Sequence, residues 1–353
     1  MEEIKLEEKR KMNWGKVRTV AGRAGAIFLL VLVWLVFVLY GVMFVLAKGP
    51  SPTARNMFVC SVQETSAVGF LARLFFSQEQ IDAITGANVE PVYQEMDASL
   101  IVRPPESDSN TDAWGLVDDD GDGIIIEPVT GESYSGFMMV VLDPSRVVVG
   151  SVPGSFGVRG YTVAQMAQKF DAVAATNAGG FYDPKGQGNG SLPSTMVAFN
   201  GKIYFKNMGS GGGFAGFDDK HILHVGKFTA KDLEERNIQN GVGFGPVLIV
   251  NGEPVDEKLL KSGLNPRTAI GQRSDGAVLL LVIDGRQVTS LGASYKDLVE
   301  VFMSYGAVNA CNLDGGSSSL MWYNGEYINT CASVIGIRPM PTTILVLKEG
   351  EHE

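Results

Sequence analysis

The chain has 353 residues, 45% of them apolar and 19% charged, enough to bury a substantial core and too apolar for a disordered polymer. Its formal net charge of -10 argues against nucleic acid as the main partner, because a phosphate backbone calls for a basic face that this balance does not supply. Three cysteines, Cys60, Cys311 and Cys331, are too few and too scattered for a disulfide scaffold or a cysteine zinc site, and leave Cys311 with Cys331 as a candidate single bridge.

Residues 1–23 read as a basic cytoplasmic tail. Residues 24–47, AGAIFLLVLVWLVFVLYGVMFVLA, carry no charge and are long enough to cross a bilayer as one helix. Lys5, Lys9, Arg10, Lys11, Lys16, Arg18 and Arg23 precede the run and only Lys48 and Arg55 follow closely, so the positive-inside rule puts the N-terminus in the cytoplasm. The main domain is then expected outside, held to the cell membrane by a single pass. The length of the run favours this anchor over a cleaved signal peptide, whose apolar core covers about 7–15 residues.

Residues 48–135 read as stalk and lead-in. Within them, Val68, Leu71, Leu74, Phe75 and Ile81 fall near helical spacing and predict a packing helix over residues 66–84. Asp118, Asp120 and Asp122 with Gly123 echo the opening of a calcium loop, in which alternate carboxylates face one hard cation. The closing glutamate is misplaced, since the twelfth position is Val129 and Glu127 comes two residues early. The segment is therefore either a structural calcium site or a solvated acidic turn.

Residues 136–349 form the main domain. Short β-rich runs (FMMVVLD, RVVVG, DAVAATN, TMVAFN, KIYF, PVLIV, AVLLLVID, VNACNLD, LMWYN, TTILVLK) are punctuated by Gly, Asn and Asp. Asn200-Gly201, Asn251-Gly252, Asp275-Gly276 and Asn324-Gly325 are hairpin signals, because glycine accepts positive φ without steric cost. Helices are predicted over residues 162–170, 229–236 and 294–305, the last two opening on capping boxes, Thr229 with Asp232 and Ser294 with Asp297. No period of 20–50 residues marks a repeat fold. The predicted class is α+β: a mixed, largely antiparallel sheet with packed helices, preceded by one transmembrane helix.

Four polar clusters sit at the ends of apolar strand-like runs, where a rigid scaffold can aim side chains into a pocket. They are NAGGFYD (177–183), NPRTAIG (265–271), DGRQ (284–287) and NLDGGSSS (312–319). Each alone also reads as ordinary turn chemistry. Together and in this order, with the LMWYNG hairpin after the last, they resemble the phosphodiester glycosidase family, typified by the lysosomal enzyme that uncovers mannose 6-phosphate tags by removing N-acetylglucosamine. The resemblance covers residues 137–349 and departs at Ser317, where the family usually has a third glycine.

The resemblance implies hydrolysis of the bond between an anomeric carbon and a phosphodiester oxygen, yielding free sugar and a phosphate monoester. A departing phosphate is already a stable anion, so it needs a cationic or N–H-lined cradle more than a strong acid. Arg267 and Arg286 suit that cradle, since a guanidinium fork matches two phosphate oxygens. Gly315 and Gly316 would offer backbone N–H groups at close approach, and Ser317 and Ser318 further donors. Asp314 is the first candidate for the carboxylate facing the anomeric carbon, as nucleophile or base, with Asp284 and Asp183 as alternatives. Asn177, Gly179, Gly180, Thr268 and Asn312 complete the expected substrate contacts. No cofactor is required by this chemistry.

Two bland readings accompany these. HILHVGKF reads as a strand, on which His221 and His224 point to opposite faces and do not share a metal. No Gly-x-Ser-x-Gly elbow surrounds Ser317, Ser318 and Ser319, which argues against a serine hydrolase. The expected substrate is a sugar 1-phosphodiester or an envelope or exopolysaccharide glycan. Two alternatives stay open: a non-catalytic glycan-binding module of exopolysaccharide assembly, and a metal-dependent phosphoesterase using Asp183, Asp284 and Asp314 as ligands.

Overall fold

The computed structural model describes residues 14–350 except 66–67, 104–109, 184–188, 210 and 334–335. It divides into two units, Met1–Phe58 and Val59–Glu353. The first carries the helix Trp14–Lys48, of which Val17–Lys48 is long and apolar enough to cross a membrane.

In the second unit the strands run β1 Ile124–Thr130, β2 Ser135–Val141, β3 Val147–Ser151, β4 Ala172–Asn177, β5 Val197–Phe199, β6 Lys202–Tyr204, β7 Gly213–Phe217, β8 Leu223–Gly226 and β9 Asn240–Phe244. There follow β10 Val247–Val250, β11 Glu253–Pro254, β12 Arg267–Arg273, β13 Val278–Ile283, β14 Ala307–Asn312, β15 Met321–Tyr323, β16 Glu326–Tyr327 and β17 Thr342–Leu347. They form three sheets, ordered β1-β2-β13-β12-β14-β10-β11, β16-β15-β4-β17-β3 and β6-β5-β9-β7-β8. The ladders between these strands are antiparallel, as the hairpin signals predict.

One apolar core unites the sheets: Val141, Val278, Leu280 and Val282 from the first, Ala174, Ile344 and Val346 from the second, and Ala215, Phe217 and Val242 from the third are buried in it. Each sheet covers its outer face with a helix. Tyr295–Ser304 lays Leu298, Val301 and Phe302 on the seven-stranded sheet. Val163–Lys169 lays Met166 and Ala167 on the second, and Ala230–Glu235 lays Leu233 on the third. This is why β13 is apolar at every position: its alternate residues enter two different cores, both shielded from water.

Local signals place these elements. Ser294 Oγ accepts from the Asp297 N–H at 3.3 Å while Asp297 Oδ2 accepts from the Ser294 N–H at 2.7 Å, a reciprocal box that satisfies two helix-end donors. Thr229 and Asp232 do the same. Asn200-Gly201, Asn251-Gly252 and Asn324-Gly325 all take positive φ at both positions and close the β5–β6, β10–β11 and β15–β16 hairpins.

Three differences from the sequence reading have physical causes. The helix expected over residues 66–84 is two short helices, Phe70–Arg73 and Gln78–Thr85, the second started by its own Ser77–Gln80 capping box. The β structure starts before residue 136, because β1 completes the edge of the large sheet through a seven-residue ladder with β2. Cys311 and Cys331 are free thiols: Cys311 is inside the central core, whereas Cys331 packs beside the apolar cluster under the second sheet.

The fit of helix to sheet is tight at Phe302, whose ring leaves no room for a Cβ on Gly271 of β12. Phe302→Ala is expected to destabilise the protein by about 3–5 kcal/mol, read from the urea midpoint at unchanged m-value. A loss below about 1 kcal/mol would remove this helix from the cooperative core.

Candidate active site

The four polar clusters converge where β4 and β14 end and β12 begins. The Asp314 N–H donates to Ala178 O at 2.9 Å, Leu313 N–H to Thr268 O at 2.8 Å, and Gly316 N–H to Pro266 O at 2.8 Å. Asn177 knots them together: its Nδ2 donates to Asp314 O, while its Oδ1 accepts from Thr268 Oγ1 at 2.7 Å and from the Leu320 N–H at 3.1 Å. Asn177 and Thr268 are buried, so the structure places them as supports of the site rather than its lining. Asn312 is likewise buried, its Nδ2 donating to Gly245 O at 2.8 Å. Gly179 donates its N–H to Thr342 Oγ1, and a Cβ on Gly180 would lie 2.9 Å from the Phe244 ring, so these glycines serve close packing.

The glycine loop has a different reason at each position. A Cβ on Gly315 would come within 2.8 Å of Pro266 O. Gly316 has φ +64° and faces the Arg286 guanidinium, 3.2 Å from where its Cβ would be. Ser317 is outside the left-handed region, so a side chain there is compatible with the turn and the departure from the family's third glycine leaves the backbone path intact.

Asp314 is half-buried at the head of this loop. Burial pushes its carboxyl up to about 7; the Ser318 hydroxyl, the Arg338 charge and the Gly315 N–H oppose that rise, and the nearby Asp183 charge adds to it. Asp183 itself pairs with Arg338 at 2.7 Å, and Arg338 lies over the Phe181 ring. Arg338 was not foreseen from sequence, because it stands in a loop with no strand-end motif around it. Asp284 braces the neighbouring loop: its Oδ1 accepts from Asn329 Nδ2 at 2.9 Å and from the Thr330 N–H at 3.1 Å.

The two arginines separate in role. Arg267 is 5% exposed, stacks over Tyr295, and gives its donors to Ala293 O, Gly263 O and Glu64 Oε2, the last at 2.7 Å. Its charge is neutralised inside the protein, so it supports the site instead of facing a ligand. Arg286 is exposed and makes no ion pair among the described residues; its Nη2 donates only to Thr65 Oγ1 at 2.9 Å and Asn265 Oδ1 at 3.1 Å. It holds φ +58°, a conformation costing an L-residue about 1–3 kcal/mol, which aims the side chain at Gly316. Glu64 and Thr65 lie in the stretch that the sequence marks as stalk; a residue pair about two hundred positions from its partners leaves no local signal.

Other candidates fall outside this cluster. Among the described residues, Asp183, Asp284 and Asp314 do not bring their carboxylate oxygens within 4.8 Å of one another. Asp118, Asp120 and Asp122 do bring carboxylate oxygens within 4.8 Å of one another. They already accept backbone N–H groups from Gly121, Gly123, Asp122 and Ile124, and the chain enters β1 at Ile124, so no EF-hand helix follows. His224 is buried on β8 and paired with Asp218 at 2.9 Å, while His221 lies in the preceding turn.

Two stability predictions follow from the buried charges. Glu64→Ala strands the Arg267 cation and is expected to cost about 3–5 kcal/mol in denaturant unfolding, whereas a cost near zero would mean that water already solvates it. The folded-state pKa of Asp314 is above its ordinary value, so its stabilising contribution is full below about pH 4 and is lost as pH rises through about 7. Asp314→Asn should therefore gain on the parent, by up to the order of 4 kcal/mol, between pH 4 and 8. Parallel stability-pH curves for the two proteins would contradict the burial of this carboxyl.

The phosphodiester glycosidase family model matches residues 170–347. The SPbeta prophage-derived uncharacterized protein YomE of Bacillus subtilis is 33% identical over 186 residues, which are 49% of this chain and 28% of that protein, so the chain spans under a third of that relative's length. The catalytic domain of zebrafish N-acetylglucosamine-1-phosphodiester alpha-N-acetylglucosaminidase, auto-inhibited by its pro-peptide, superposes with a TM-score of 0.54 at 20% identity, over 69% of this chain and 87% of that one. That likeness establishes a shared fold. With half the chain matched by the family model, this protein belongs to the phosphodiester glycosidase family.

Proposed function

We propose that this chain hydrolyses the glycosyl bond of a sugar 1-phosphodiester outside the cytoplasmic membrane, giving free sugar and a phosphate monoester. The observation that carries the reading is the placement of Asp314, whose carboxyl is pushed up to about 7 by burial, and of Arg286, an exposed guanidinium without a carboxylate partner among the described residues, at opposite ends of the Gly315-Gly316 turn. A phosphodiester seated on Arg286 and the turn's backbone would be repelled by an ionised Asp314. A neutral Asp314 instead donates a hydrogen bond, and then its proton, to the phosphate oxygen that leaves the anomeric carbon.

Asp183, paired with Arg338, is the carboxylate for the other side of the sugar, taking a proton from water or attacking the anomeric carbon as the oxocarbenium-like centre develops. In either course the C1–O electron pair departs with the phosphate and water supplies the new hydroxyl. This gives Asp314 the proton-donor side of the reaction, where its strand-end position had suggested nucleophile or base. Asp284 acts indirectly, by bracing the Asn329 loop.

The basic residues before the apolar helix support an N-terminus in the cytoplasm and the enzymatic unit on the outer side as a single-pass protein. Envelope or exopolysaccharide glycans bearing sugar 1-phosphate links are the natural substrates available there. N-acetylglucosamine 1-phosphodiesters are the first compounds to try, since they are named for the zebrafish enzyme that shares the fold.

The test is incubation of the full chain in detergent with UDP-N-acetylglucosamine and a panel of sugar 1-phosphodiesters, with products identified by mass spectrometry. Free sugar is expected. Arg286→Ala should lower kcat/KM about 10²–10³-fold, and kcat/KM of the parent should fall as pH rises through about 7, a limb absent from Asp314→Asn. Sugar 1-phosphate as product would mean P–O cleavage and end the glycosidase reading. Binding without turnover across the panel would leave a glycan-binding module.

A further inference from the structure

A segment far ahead of the family-matched region reaches into the arginine pair. Thr65 Oγ1 donates its proton to Ser61 O at 3.0 Å, which leaves its lone pairs facing Arg286 Nη2 at 2.9 Å. Glu64 Oε2 accepts from Arg267 Nη2 at 2.7 Å and from Asn265 Nδ2 at 2.8 Å, and Asn265 Oδ1 in turn accepts from Arg286 at 3.1 Å. The segment is built in rather than resting on the surface: the Leu264 N–H donates to Ser61 Oγ at 3.0 Å, and a Cβ on Gly263 would overlap Ser61 at 2.2 Å. These residues precede the matched span of 170–347 by about a hundred positions.

The charge arithmetic of this knot is specific. Two guanidiniums share one carboxylate, and geometry gives that carboxylate to the buried Arg267. Among the described residues Arg286 is left with the neutral acceptors Thr65 Oγ1 and Asn265 Oδ1, beside the like charge of Arg267, so an anionic partner is favourable there. A neutral hydroxyl orients a cation without cancelling its charge, which a carboxylate at the same place would do.

We propose that residues 61–65 are a working part of the anion site, with Thr65 as the positioning residue that holds Arg286 toward Gly316 and Glu64 as the counter-charge that keeps Arg267 from competing for the same phosphate. The proposal rests on Arg286 being the phosphate ligand, as in the proposed function. It makes the chain that follows the apolar helix a determinant of substrate affinity instead of a passive tether. The opposite role, in which Thr65 occupies the place of a phosphate oxygen and must leave before substrate binds, predicts effects of opposite sign.

The experiment uses the full chain in detergent micelles and inorganic phosphate as the probe, by calorimetric titration, beside KM and kcat for whichever sugar 1-phosphodiester the parent hydrolyses. Thr65→Val keeps the volume and removes the hydroxyl; Thr65→Ser keeps the hydroxyl. Loss of one hydrogen bond to a charged group is expected to weaken phosphate binding of Thr65→Val about tenfold and to raise KM by a similar factor while kcat changes little. Thr65→Ser should restore both, and the thermal midpoints of the two variants should agree, which separates positioning from damage to the fold. Unchanged or tighter phosphate binding by a folded Thr65→Val protein overturns the inference and leaves the glycosidase reading standing. A parent that binds no phosphate and releases no sugar overturns the cradle at Arg286 and this role together.

Discussion

The amide of Asn177 joins its own strand end to two segments 91 and 137 residues away in sequence, and does so where water is excluded. Buried amide groups must find partners, and losing one costs the full desolvation of those left behind. The knot therefore fixes the end of β4 against the start of β12 and the loop after β14 with little freedom. Three parts of the site hang from those places: Asp314 from the loop, Gly315 against Pro266, and Asp183 on the chain that leaves Asn177. Side chains that resemble substrate contacts in sequence act here as the frame that sets the positions of others.

Electrostatics then divide like residues into unlike roles. Arg267 and Arg286 both stand in motifs at strand ends, yet one is neutralised by Glu64 inside the protein and the other presents an uncompensated charge at the glycine turn. Asp314 and Asp183 differ in the same way, the first lifted toward neutrality by burial and the second held against the Arg338 guanidinium. Carboxyl groups in unequal surroundings are the arrangement that acid and base chemistry at one centre requires. A phosphate-bearing substrate adds its own negative charge, which favours the neutral form of Asp314 further.

The scaffold explains how such a site is kept rigid. Three antiparallel sheets share one core, and each is backed by a helix that buries its own cluster, so the strand ends that carry the site are fixed from both faces. The glycines at 180, 271 and 315 mark close approaches of backbone or ring that a side chain would push apart. Ser317 departs from the family pattern at a position where the backbone makes no such demand.

The sequence by itself determined the features whose causes are local. Asn-Gly pairs close hairpins because the left-handed turn is decided by two residues, and capping boxes start helices because donor and acceptor are three positions apart. An uncharged run of bilayer length and the β-rich runs of β2, β13 and β17 were legible for the same reason. The joint order of four polar motifs also pointed to the family. Tertiary structure alone decided the rest. The glycine-bearing strands β7 and β9 and the strand β12 show little alternation and are made by their neighbours. Which arginine is free, which asparagine is structural, and that Glu64, Thr65 and Arg338 belong to the site depend on charges and hydrogen bonds between residues tens to hundreds of positions apart, and no local pattern in the chain records a partner at that distance.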